Sequence, residues 1–196
     1  MKKIRILFYK SKVGDGHWID NGISLWTKLF NWRTKNYSHV EVWWANEKGN
    51  FEEPEVDDAY DPTGKWVFVG QCFTSTMRGK ENGTVIRDAS EVLKNPGRWD
   101  VAEIEIVSTF RIGRAKLYAE LEAKENKGYD KLCIADFFNP FRRWIRLHAK
   151  DKNICSEAGD KFLLWCGIFC KLTQPSPRRL SRKLIEKGYK IRPLRS

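Results

Sequence analysis

The sequence predicts an α+β fold. Segments of two-residue period crowd its first half, segments of 3.6-residue period crowd its second, and 196 residues suffice for one domain, 1–196, with a proper core. The first strand is read from Ile4, Ile6 and Phe8, which alternate with Arg5 and Leu7. A polar, glycine-punctuated loop follows from Ser11 to Gly22, and then Ile23, Trp26, Leu29 and Phe30 recur at helical spacing. Tyr37 to Trp44 (YSHVEVWW) is β-branched and aromatic and reads as a strand. The acidic stretch Glu47 to Asp61 reads as a surface excursion.

Val67 to Phe73 and Gly83 to Asp88 are the next predicted strands, separated by a turn around Arg78 to Gly83. A short helix, Ser90 to Lys94, stops at Asn95-Pro96-Gly97. Val101 to Val107 places Ala102, Ile104 and Ile106 on one face and Glu103 and Glu105 on the other, as a half-buried strand does. Ser108 or Thr109 is placed to cap a helix that carries Leu117 and Leu121 and ends at Gly128. A helical segment, Tyr129 to Phe138, stops at Asn139-Pro140, and Arg142 to Lys152 is basic. Ile154, Ala158, Phe162, Trp165, Phe169 and Cys170 then mark an apolar stripe, with Asn153 as the candidate N-cap. The tail holds a basic helix, Pro177 to Lys187, with proline in its first turn, and a last short strand.

Composition bounds the function. The apolar share (41%) and charged share (31%) belong to a folded chain. The apolar start is broken by Arg5 and closed by Lys10 and Lys12, which makes it too short for an export signal, and no later run reaches membrane-spanning length. A cytoplasmic location is the expectation. Five cysteines without a secretory signal argue against a disulfide framework; no pair has zinc-ligand spacing, and no metal or cofactor is expected. The net charge of +11 suits an anionic partner (nucleic acid, anionic lipid headgroups or an acidic substrate), although a basic surface that binds nothing specific fits at least as well. Arg142, Arg143 and Arg146 around Trp144, with Arg178, Arg179, Arg182 and Lys183, carry the alternative of a non-catalytic binding protein.

Chemistry concentrates at Cys155. A thiol in the first turn of a helix feels the positive end of the dipole, which favours the reactive thiolate. Gly159, one turn on, leaves room for a strand or substrate beside the thiol. Cys72, Cys133, Cys166 and Cys170 read as small core residues, and His17 and His148 as surface residues. His39 sits within a strand, a fixed platform for a base, although a strand histidine with no task fits the same pattern. The group that orients its imidazole is Glu41, on the same face, or Gln71 or Thr74 on the following strand.

Four segments together resemble the circularly permuted NlpC-like papain-fold proteins of the YiiX type: Ser38-His39-Val40-Glu41, Tyr129-Asp130 before an apolar run, Ile154-Cys155-Ser156-Glu157, and Ser176-Pro177. The histidine strand precedes the cysteine helix by 116 positions (155 − 39), the family's order and the reverse of papain's. The resemblance implies a permuted papain-like fold, with a central antiparallel sheet packed on the nucleophile helix. It also implies a cysteine peptidase or amidase-like hydrolase, or an acyltransferase, acting on a peptide, isopeptide or lipid-ester substrate. Cys155 and His39 carry over as the catalytic pair. Tyr129 resembles a substrate-site tyrosine, though an aromatic core residue fits as well, and Ser38 and Ser156 flank the pair as further substrate-binding positions. The long connection Glu47 to Asp61 departs from the family and leaves the third position open between Glu41 and Gln71. Phe73 to Asp88 resembles versions found in bacteriophage and bacterial genomes.

Overall fold

A computed structural model describes residues 2–11, 37–44, 58–60, 66–77, 81–125, 128–131, 153–170 and 176–194. Its centre is a six-stranded, wholly antiparallel sheet in the order β6-β5-β2-β1-β7-β8. These strands are β1 (Lys2–Lys10), β2 (Tyr37–Trp44), β5 (Gln71–Thr76), β6 (Gly83–Asp88), β7 (Trp99–Ile106) and β8 (Ile191–Pro193); β3 (Asp58–Tyr60) and β4 (Trp66–Phe68) pair separately. The helices are α1 (Ala89–Val92), α2 (Thr109–Glu125), α3 (Cys155–Trp165) and α4 (Pro177–Glu186). The α+β class holds.

Strand alternation sends side chains to two separate cores. Ile4, Ile6 and Phe8 of β1, Val40, Val42 and Trp44 of β2 and Phe73 of β5 meet α2, α3 and α4 on one face. The Trp44 and Phe162 rings stack there at 5.4 Å. Leu7, Trp43, Cys72, Trp99 and Val101 form the second core with Phe68, Ala89 and Leu93. Both faces of β2 are covered, so every residue of it is buried, Ser38, His39 and Glu41 included. Each large side chain so covered stabilises the fold by about 1.5–3 kcal/mol.

Several boundaries move. The strand expected from Val67 to Phe73 is two strands, broken at Gly70, whose φ of 117° is a conformation that glycine adopts without strain. The acidic excursion ends in β3, which pairs with β4. Asn153 is not the cap of α3: Ile154 holds that place, with no side-chain bond. On α2 the buried residues are Ile112, Ala115 and Ala119, while Leu117 and Leu121 face outward. Trp165 and Phe169, assigned from spacing to the buried stripe of α3, are also exposed. The helix expected near Ile23 to Phe30, most of Tyr129 to Phe138, the basic run from Arg142 with Trp144, and Cys133, His17 and His148 lie outside the described residues.

Candidate active site

The chain around Cys155 is pinned before the helix begins. The carbonyl of Asn153 accepts from Ser75 Oγ (2.8 Å) and from Asp130 N (3.2 Å), and Asn153 forms a parallel bridge with Tyr129. Its side chain donates to Glu122 of α2 (2.9 Å) and accepts from Lys161 (2.6 Å). The residue expected to cap α3 thus ties β5, α2 and α3 together two positions before the thiol. Cys155 is the first residue of α3, where the unopposed N–H dipoles of a helix start favour an anion. Only 2% of its surface is exposed, in the same core as Tyr37, Val40 and Phe73.

Gly159 makes the close approach that its lack of a side chain predicts. A Cβ there would stand 3.3 Å from Val40 Cγ1 and 3.4 Å from Leu180 Cδ2. Phe162, further along α3, stacks on Trp44 at the far end of β2. Hence α3 runs along β2, with Cys155 level with the start of the strand, where His39 is.

His39 points to the other side. Its neighbours Val40 and Val42 belong to the helix-covered core, and its imidazole lies with Trp99 of the second core, the ring centroids 6.4 Å apart. His39 Nε2 is 3.2 Å from Glu41 Oε1 and 3.5 Å from Thr74 Oγ1. The Thr74 hydroxyl donates its hydrogen to the carbonyl of Val40 (2.7 Å), and an ionised carboxylate only accepts. A tautomer with its proton on Nε2 donates toward both of these oxygens, and Nδ1 is then the basic nitrogen of the ring. Glu41 is 1% exposed, with Arg87 Nη2 on its Oε1 and no hydrogen-bond partner on Oε2 among the described residues. Arg87 Nη1 also meets Glu81 Oε2 at 3.1 Å. Burial, and next the Glu41 carboxylate, push the Cys72 thiol well up.

Of the orienting groups weighed from sequence, Glu41 and Thr74 stand beside the imidazole. Gln71 does not: it pairs with Trp44 at the opposite end of β2 and shares the face of Phe73. Ser38 is buried at the irregularity where β1 shifts register, between the pairs Tyr9–His39 and Lys10–Tyr37. Ser156 is buried with no hydrogen-bond partner on its hydroxyl among the described residues, and Tyr129 is buried beside Asn153. The structure thus makes two polar clusters level with each other, one on each face of β2. Arg87 and Ser75 escaped the sequence reading. Arg87 reaches Glu41 from two strands away, a register no local pattern reveals. Ser75 binds main chain, which carries no side-chain signature.

Among the described residues no group of histidine, cysteine and carboxylate side chains is arranged to hold a metal ion. No described helix is long and apolar enough to cross a membrane. Comparison with protein-family models, curated proteins and solved structures finds no match.

Proposed function

We propose that this chain is a permuted papain-like cysteine hydrolase or acyltransferase with Cys155 as nucleophile and His39 as its base. The observation that carries this reading is the thiol at the first position of α3, anchored through Asn153; the imidazole, oriented by Glu41, lies on the opposite face of β2. The Cys155 thiol passes its proton to His39 Nδ1, and the thiolate attacks an amide or ester carbonyl. The tetrahedral oxyanion is met by N–H groups of the helix start. Collapse expels the amine or alcohol, which takes the proton from the imidazolium and leaves a thioester. Water, or an acceptor amine or alcohol, gives up a proton to Nδ1 and displaces the thiol, releasing the acid, amide or ester. Glu41 stabilises the imidazolium, and Arg87 fixes the Glu41 side chain beside the ring.

This chemistry requires the imidazole and the thiol to meet around the strand end at Ser38. The placement of His39 and Cys155 on opposite faces of β2 favours a second reading, a papain-like module that binds and does not cleave. A p-nitrophenyl acyl ester separates the two. The catalytic reading expects a burst of p-nitrophenol and an acyl adduct on Cys155. The burst should vanish in Cys155→Ala and fall at least ~10-fold in His39→Ala, since general-base help contributes about 10²–10⁴-fold. No adduct on Cys155, or a burst indifferent to His39, leaves the binding module.

A further inference from the structure

We propose that the corner formed by α2 and the end of α3 docks the protein on anionic lipid bilayers. Phe110, Leu117 and Leu121 recur on one side of α2, opposite the buried Ile112, Ala115 and Ala119, and are 72%, 55% and 51% exposed. Trp165 ends α3 beside them, and Phe169 follows it, 57% exposed. Arg114 joins the two helices into one patch: its guanidinium carbon lies 4.6 Å from the centre of the Trp165 ring and 5.8 Å from that of Phe110. Such stacking holds the arginine against the apolar surface while its charge faces out. Contiguous exposed apolar surface with a polar rim marks a contact site.

Charge selects the occupant. The first half of α2 carries Arg111, Arg114 and Lys116 and no acidic residue in its first turn, although a helix start is stabilised by negative charge. The acidic residues come later, at Glu120, Glu122 and Glu125, and Glu122 is engaged by Asn153. A basic helix start therefore costs the helix stability, which complementarity to an anionic surface offsets. A second copy of the chain would bring another net +11 against it. A helix anchored along one side, with aromatic and leucine side chains standing out on the other beside arginines, matches the interfacial helix that sinks into the headgroup boundary.

The test is flotation of the full chain with phosphatidylcholine vesicles, with and without about 30% phosphatidylserine, near physiological salt. Binding is expected only with the anionic lipid. The double variant Phe110→Ser, Leu117→Ser should lower partitioning at least ~10-fold, because membrane affinity follows buried apolar area. Arg114→Glu should lower it as well, with both variants melting like the wild type. Lipids brominated in the acyl chain should quench fluorescence in the wild type and less in Trp165→Phe. Cys155→Ala should bind like the wild type, so that failure of the catalytic reading leaves this result intact. Absent vesicle binding, or binding that the double variant leaves unchanged, overturns the proposal. So does a concentration-dependent dimer lost in the double variant, or retention on polyglutamate without retention on vesicles.

Discussion

A carboxylate with almost no solvent contact persists as an anion only where positive charge or donors meet it. Glu41 is in that position, and Arg87 and His39 meet its Oε1. Arg87→Ala is expected to destabilise the fold by about 3 kcal/mol in urea titration, since a buried charge is left short of its partner. A cost within experimental error would mean that Glu41 does not depend on Arg87. The sequence alone showed His39 and Glu41 sharing a face, because alternation along one strand is local. The contact with Arg87 was not legible, because it depends on how β5 and β6 are registered. Cys155 was legible as a helix-start thiol, but its burial was not, because it stands beside the apolar stripe of Ile154, Ala158 and Phe162, and the covered surface of α3 is wider than that stripe.

At the scale of the element, a helix is stabilised by its ends and by the fit of its buried side. Ser176 Oγ accepts from Arg179 N at 3.2 Å and caps α4, so Ser176→Ala should cost about 1 kcal/mol in thermal or urea unfolding. Gly159 separates α3 from β2 by less than a branched side chain needs. Gly159→Val is expected to destabilise by roughly 2–3 kcal/mol through overpacking, while Gly159→Ala should be nearly neutral, its helix propensity gain of about 1 kcal/mol offsetting the tight contact. Equal stability of both variants would mean that α3 can stand further from the sheet. Strands β1, β2, β6 and β7 were readable from period and composition. The strand taken as Val67 to Phe73 was not, because Gly70 turns the chain inside what reads as one apolar run. Which face of α2 is buried is set by packing as well. Small residues, Ala115 and Ala119, allow α2 to lie close on the sheet, and Leu117 and Leu121 are left outside.

For the whole molecule, burial of thiols sets a limit at alkaline pH. Burial pushes Cys166 up to about 12 and Cys170 up to about 11, and Cys72 well above its usual value. Each folded-state value lies above the unfolded one, so the folded chain binds more protons over the interval between them. Stability is then full below the unfolded thiol value of about 8.5 and falls above it by about 1.4 kcal/mol per pH unit for each thiol still protonated in the fold. Melting temperature should drop steeply from pH 9 to pH 11, and less steeply in Cys166→Ala after allowance for the lost side chain; a flat profile would contradict the burial of these sulfurs. The α+β class followed from the order of periodic segments. Which face each cluster occupies could not, because it is set by the packing of α2, α3 and α4 on one side of the sheet.

The pairing of Cys155 with His39 is tested most directly by the pH dependence of iodoacetamide labelling, read by peptide mapping. In the wild type, Cys155 should label at least ~10-fold faster than Cys72, Cys166 and Cys170 near neutral pH, and its rate should level off below the ordinary thiol value of about 8.5. His39→Ala should move that inflection upward. A Cys155 rate that tracks the other buried thiols, with or without His39, would contradict the pair.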